Sequence, residues 1–168
     1  MNFIANRRRL LLASSTLVAW GLMGCATGTG RSSSPYAREL PLTFNDDALK
    51  AQMAASGLLP VFTQYWQAYA HRRWADRYQM ERFAGDLTES FYVAYHDAAW
   101  MIQSFNVIKL HEPDEQGRVR VDIDALYRSL VEDKKENRQL VQDWWIPHEG
   151  RWLHVNTDPM LNGMKTVV

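Results

Sequence analysis

The first 24 residues constrain this chain most, because their pattern has no role in a folded domain. Three arginines, Arg7 to Arg9, precede an apolar run from Leu10 to Met23, and no acidic residue occurs before Glu39. A basic start followed by such a run is typical of a secretory signal, and the run is too short to cross a bilayer of about 30 Å as a helix. The sequence therefore predicts that residues 1–24 are removed on export.

Cys25, the only cysteine, directly follows Leu22-Met23-Gly24. This ending resembles the lipobox of bacterial lipoproteins, in which the cysteine receives the lipid. The resemblance implies acyl chains on Cys25, and because each buried CH₂ contributes about 0.8 kcal/mol, two or three chains anchor a protein durably. Ala26 resembles the residues that permit export to the outer membrane, which implies attachment to its periplasmic face. General secretion and twin-arginine export are both open as routes.

Composition limits the partners and the means of stabilisation. Removing 24 of the 168 residues leaves 144, and losing three arginines leaves 16 basic against 19 acidic side chains. This slightly negative balance predicts no nucleic-acid-binding surface. With its only thiol lipidated, the chain has no disulfide, so stability must come from packing. Six Trp, seven Tyr and five Phe are available for it, since Trp20 and Phe3 are removed with the signal.

The chain divides into a tether, one domain and a tail. After the cysteine, residues 26–35 consist mainly of Gly, Thr and Ser, a composition too polar and flexible for a core. We therefore predict a lipidated cysteine with a flexible tether over residues 25–44, a single folded domain over residues 45–158 and a C-terminal tail over residues 159–168.

Helices are predicted in the first half of this domain. Asn45 and Asp46 can cap a short helix that runs to about Ser56. Apolar spacing indicates a longer helix from residue 58 to about 69 and a short piece over residues 74–78. Past a break at Gly85, Asp86 and Glu89 resemble a capping box that starts a third helical stripe, which extends to Ala98.

The second half is predicted to form strands. Residues 105–110 read as one strand, and in residues 119–127 every second residue, from Val119 to Tyr127, is apolar. A charged loop over residues 132–138 precedes two further strands over residues 140–146 and 151–156. Helices followed by an antiparallel meander predict an α+β fold, with the helices on one face of a curved sheet.

Several segments resemble the NTF2-like, cystatin-related α+β cone fold, and specifically small periplasmic lipoproteins built on it. They are Tyr65–Tyr69, Arg73–Ala75, Phe91–Ala98 and Trp144–Trp152. The resemblance implies N-terminal helices packed on a curved antiparallel sheet, a cone that often holds a pocket. It does not specify an activity, because similar proteins range from enzymes to binding and assembly modules.

Aromatic side chains form either the core of this cone or the wall of an apolar ligand pocket. The candidate ligand-binding residues are Tyr65, Trp66, Tyr69, Trp74, Tyr78, Tyr92, Trp145 and Trp152.

Three residues are weak candidates for acid–base catalysis: His96, Asp143 and His154. A four-residue turn from Pro147 to Gly150 would pair Ile146 with Arg151, and would place Asp143 directly opposite His154. A carboxylate in that position is expected to raise the pKa of the imidazole. The five histidines show no ligand pair at helical spacing, so neither a metal nor a cofactor is predicted.

The sequence leaves three functions open. The preferred interpretation is a lipid-anchored, non-catalytic envelope domain that binds a small apolar ligand or a protein partner. The second is an envelope enzyme of the general acid–base type, such as an isomerase or dehydratase, with its site in the cone. The third is a structural subunit that forms a homodimer through its sheet face.

Overall fold

The computed structural model describes residues 39–96, 100–132 and 134–163. The predicted signal peptide, the predicted lipidation site Cys25 and most of the predicted tether lie outside these residues. The end of the predicted third helical stripe, after His96, and the end of the predicted tail, after Gly163, also lie outside them. None of the helices in the described part of the chain is long and apolar enough to span a bilayer.

Four helices occupy the first half of the domain, as the apolar spacing predicted. The first begins after Asp46, whose Oδ1 accepts a hydrogen bond of 2.7 Å from the backbone N–H of Leu49, so the predicted cap is confirmed. The helices are α1 (Asp47–Ala55), α2 (Leu58–Ala70), α3 (Trp74–Tyr78) and α4 (Glu89–His96).

The start of α4 differs from the prediction, because Asp86 does not cap it. Thr88 does so instead, and its Oγ1 accepts from the Phe91 N–H at 3.3 Å. The carbonyl of Leu87 accepts a hydrogen bond from the Tyr78 hydroxyl at 2.5 Å, which holds the preceding turn outside the helix.

Six strands form one mixed sheet in the order β1-β3-β4-β5-β6-β2. The predicted antiparallel meander is confirmed as β3 to β6, whereas the short strands β1 and β2 pair in parallel with β3 and β6 at the two edges. The α+β class is therefore confirmed, with a mixed sheet. The strands are β1 (Leu42–Phe44), β2 (Glu81–Arg82), β3 (Trp100–Leu110), β4 (Val119–Ser129), β5 (Glu136–His148) and β6 (Arg151–Val155).

Ordered structure extends beyond several predicted bounds. Strand β5 begins at Glu136, inside the predicted charged loop, because its backbone pairing with β4 continues to Arg128 whatever side chains it carries. Strand β3 likewise begins at Trp100. Residues 42–44 of the predicted tether form β1, and Leu161 of the predicted tail is buried.

The β5–β6 hairpin has a different register from the predicted one. His148 pairs with Arg151 across a two-residue turn, Glu149-Gly150, whose φ angles of 50° and 78° are both positive. Such turns match the twist of the flanking strands, which favours them over the predicted four-residue turn. Ile146 therefore pairs with Leu153, a shift of two residues that leaves every side chain on its predicted face.

The core fills the space between α2 and the sheet face that packs against it, which we call the inner face. Trp145 of β5 is fully buried there, with ring centroids 5.7 Å from Phe62 and 5.3 Å from Tyr65. Phe105 of β3 and Ile123 of β4 are also buried in this core. The alternation predicted for β4 is confirmed, since Val119, Val121, Ile123 and Ala125 are all buried on the inner face.

Candidate functional site

Polar and charged side chains are buried at one end of this core. They come from α2, α3, β2, α4, β5 and β6, and from the residue after β6. We call this group the buried polar cluster: Tyr65, Arg77, Glu81, Tyr92, Asp143, His154 and Asn156.

His154 lies at the centre of the cluster, between two carboxylates. Its Nε2 is 2.7 Å from Asp143 Oδ1, and its Nδ1 is 3.0 Å from Glu81 Oε2. The parallel pairing of β2 with β6 sets Glu81 directly beside His154. Burial lowers the pKa of His154, but the two carboxylates outweigh it and raise the pKa to about 9. The ring is therefore an imidazolium at neutral pH.

The expected contact between Asp143 and His154 is confirmed, although the expected direct pairing is wrong. His154 is opposite Trp145 in the sheet, and Trp152 is opposite Pro147. Asp143 therefore reaches the imidazole diagonally along the shared inner face, since diagonal neighbours on one face of a sheet lie within reach of polar side chains.

Every oxygen of the two carboxylates accepts at least one hydrogen bond. Glu81 Oε1 accepts from the hydroxyls of Tyr65 at 2.7 Å and Tyr92 at 2.6 Å, and its Oε2 accepts from Asn156 at 2.8 Å. Although burial raises the pKa of Glu81, the charge and hydrogen bond of His154 help to hold it well below its usual range.

The oxygens of Asp143 also accept hydrogen bonds from buried donors. Its Oδ2 accepts from the indole N–H groups of Trp66 at 3.1 Å and Trp145 at 2.8 Å, while its Oδ1 faces His154. All four carboxylate oxygens of the cluster thus accept from protein donors.

Arg77 supplies the second positive charge. Its Nη2 donates to the Tyr65 hydroxyl and lies 3.8 Å from Glu81 Oε1. The guanidinium carbon sits 4.3 Å from the ring centroid of Tyr65, 5.0 Å from that of Tyr69 and 5.8 Å from that of Trp66. Its Nε and Nη1 have no hydrogen-bond partner among the described residues, and these ring faces provide cation–π contact instead. Two cations balance two carboxylates.

His96 does not join the cluster. Its ring stacks on Trp74 at a centroid distance of 5.4 Å and contacts Tyr92 at 4.3 Å. Burial and the charge of Arg77 lower the pKa of His96 to about 4, so it is neutral at pH 7. The structure therefore brings Asp143 and His154 together and leaves His96 apart from them.

The eight aromatic candidates occupy different environments. Four of them are buried in the core or in the buried polar cluster: Tyr65, Trp66, Tyr92 and Trp145. Trp74, the first residue of α3, is buried against α4. Tyr78 and Trp152 are partly exposed, and the Trp152 indole donates to the Ser56 carbonyl at 3.0 Å. Tyr69 alone of the eight lines the cavity described next.

A cavity of about 250 Å³ opens on the inner face of the sheet beside Tyr69. Burial raises the pKa values of Tyr69 and Tyr127, so both phenols are neutral at physiological pH. Three rings and two amides therefore give this cavity an uncharged wall. We call it the aromatic cavity: Tyr69, Trp100, Tyr127, Asn137 and Gln139.

Sequence reasoning missed several of these residues. Arg77 and Glu81 are four residues apart, a spacing typical of an exposed ion pair on a helix, so nothing signals their burial. Asn137 fell in the predicted loop. Tyr127 is different, because the alternation of β4 already placed it on the inner face.

No group of three or more His, Cys, Asp or Glu side chains in residues 39–96, 100–132 and 134–163 is arranged to hold a metal ion. Comparisons of the chain with protein families, curated proteins and solved structures gave no significant match.

Proposed function

We propose that this chain is a lipid-anchored NTF2-like domain of the cell envelope that binds a small apolar ligand, or an apolar group of a protein partner, without catalysing a reaction. The aromatic cavity is the binding site in this proposal. The observation that carries it is an open, uncharged aromatic cavity beside a charged cluster that has no oxygen left for a substrate. Helices α1 to α4 preceding the meander, with β2 parallel to β6, support the cone-like architecture.

The chemistry of the buried polar cluster argues against an acid–base enzyme. A general base must have a lone pair within hydrogen-bond reach of the proton it removes. Glu81 and Asp143 direct all their oxygens at protein donors, and both ring nitrogens of His154 face carboxylates. The cluster therefore acts as a structural element that links the helices to the sheet, with its two positive and two negative charges in balance.

The outer face of the sheet argues against a structural subunit that dimerises there. This face carries the ion pair between Arg120 and Asp122, at 3.0 Å, and a second pair between Arg138 and Asp124. Such ion pairs are more favourable when exposed to water, because burying them in an interface costs solvation free energy.

The walls of the aromatic cavity define the class of ligand. Neutral rings favour a flat or branched apolar group, and the amides of Asn137 and Gln139 can each donate and accept one hydrogen bond at its rim. A volume of about 250 Å³ is large enough to admit a group of the size of an indole.

The proposed location follows from the N-terminal pattern. Acylation of Cys25 would hold the domain at the periplasmic face of the outer membrane, with the residues before Leu42 serving as a tether. Envelope ligands or partners would then reach the aromatic cavity from the periplasm.

Titration of the isotope-labelled full chain with indole, followed by NMR, tests the proposed site. We expect saturable shifts of the side-chain amide signals of Asn137 and Gln139. Gln139→Trp fills the aromatic cavity and should weaken binding by at least about tenfold. Gln142→Trp, on the exposed outer face of the same strand, is the matched control and should bind normally. Shifts that fail to saturate, or equal binding by both variants, would contradict the site.

A further inference from the structure

Among residues 39–96, 100–132 and 134–163, no strand pairs with one edge of β5 over most of its length. Strand β4 pairs with β5 from Glu136 to Trp145, but β6 pairs only with the last part of β5, from Trp145 to His148. No other described residue makes a backbone hydrogen bond to residues 136–144. Within the described part of the chain, the first two-thirds of β5 therefore has a strand on one side only.

The direction of the free backbone groups follows from the hairpin. A two-residue turn closes on a hydrogen-bonded pair, so His148 directs its N–H and C=O towards β6. The N–H of His154 donates to Met80 on the opposite side, at 2.8 Å, as this alternation requires. Even-numbered residues of β5 therefore face the β6 side. In the open stretch, Arg138, Leu140 and Gln142 direct their N–H and C=O groups to the free edge.

Residues 137–142 of this edge lack the features that normally block strand addition. Natural edges are protected by proline, bulges or inward-pointing charges. The register between β4 and β5 has no shift, and Pro147 lies in the part that β6 covers. Leu140 is 64% exposed, and the charge of Arg138 is paired with Asp124 on the outer face.

The aromatic cavity adjoins the same edge. Its two amides, on Asn137 and Gln139, belong to the odd-numbered residues of β5, whose side chains point to the inner face. An added antiparallel strand would have a side chain directly opposite Gln139 on that face. Residues that do not exchange hydrogen bonds bring their side chains closest together, and Gln139 would be one of these.

We propose that an extended segment of a partner protein adds to the free edge of β5 as an antiparallel strand and inserts one large apolar side chain into the aromatic cavity. Main-chain hydrogen bonds to Arg138, Leu140 and Gln142 supply affinity, and the cavity supplies specificity. This inference rests on the proposed function, since it uses the same cavity.

A second copy of this chain fits the site less well. Antiparallel pairing of two β5 edges places residues of the same face opposite each other, so the partner copy would offer Asn137, Gln139 or Val141 to the cavity. The two amides and the small valine offer little apolar surface to the three aromatic rings of the cavity. A foreign segment can offer an aromatic or large aliphatic residue there.

The test uses a capped, fluorescein-labelled peptide, Ser-Thr-Val-Thr-Trp-Thr-Val-Thr-Lys, and fluorescence anisotropy with the full chain. We expect the peptide to bind at least about tenfold more tightly than N-acetyltryptophanamide, measured by competition. Methylating the amide nitrogens of the two threonines that flank tryptophan should abolish the gain, because these amides face β5. Methylating the tryptophan amide nitrogen should preserve it.

The protein variants are Leu140→Pro, which removes an N–H from the free edge only, and Leu140→Ala as the matched control. The proline variant should lose the peptide but retain N-acetyltryptophanamide. If both probes bind equally and methylation has no effect, edge pairing is refuted while the proposed function stands. If N-acetyltryptophanamide does not bind the wild-type chain, the proposed function itself fails. Self-association that Leu140→Pro abolishes would assign the edge to a second copy and overturn the inference.

Discussion

The charge balance of the buried polar cluster predicts a specific loss of stability at alkaline pH. His154 has a pKa of about 9 in the folded chain, against an ordinary value of 6.5. Each pKa unit corresponds to 1.36 kcal/mol, so protonated His154 favours folding by about 3 kcal/mol. For a domain stable by about 5–15 kcal/mol, this is a large fraction.

The sign follows from the direction of the pKa change. Because the folded pKa is raised, the stabilisation is complete below pH 6.5 and is lost as the pH rises through 9. Glu81 acts in the opposite direction, since its lowered pKa stabilises the fold above the ordinary value of 4.5 and the effect is lost on acidification. Stability contributed by the cluster is therefore greatest between about pH 5 and 6.5.

Urea unfolding of the full chain at pH 6.0 and 9.5, followed by circular dichroism, measures this loss. We expect the free energy of unfolding to fall by about 3 kcal/mol between the two values. Asp143→Asn keeps the shape of the side chain but removes one carboxylate, so the loss should shrink. His148→Gln, at an exposed histidine, should leave it unchanged. Equal stability of the wild type at both pH values would refute the reasoning.

Three further predictions concern the core, the hairpin and the anchor. Trp66→Ala removes a buried indole that donates to Asp143, so it should lower the free energy of unfolding by about 3–5 kcal/mol in the same urea assay. Gln64→Ala, at an exposed position of the same helix, should change the free energy of unfolding little. Gly150→Ala forces a Cβ into positive φ and should cost about 1 kcal/mol, and equal stability to wild type would argue against the two-residue turn. Cys25→Ser should leave the protein unlipidated, and outer-membrane fractionation at the mature size would contradict the lipobox interpretation.

Features that repeat along the chain could be predicted from sequence. The period of two in β4 fixed which side chains face inward, and the same period put Asp143 and His154 on one face. The wrong register did not separate them, because a shift of two residues preserves the face. Apolar spacing located α2 for the same reason.

Features that depend on backbone pairing or on a single distant contact could not be predicted. Strands β1 and β2 are three and two residues long, too short to show a period, and they are recruited by β3 and β6. The start of β5, residues 136–139, carries only polar side chains, so it resembles a loop. Glu81 gains its role only when the fold brings His154 beside it.

The protonation state of His154 tests the central claim most directly. If the cluster is structural and its charges are balanced, ¹⁵N NMR of the full chain at pH 7 will show both ring nitrogens of His154 protonated. The titration midpoint should lie near 9 and should fall in Asp143→Asn. A neutral imidazole with one unprotonated nitrogen at pH 7, or the same midpoint in both proteins, would contradict the account and revive the acid–base alternative.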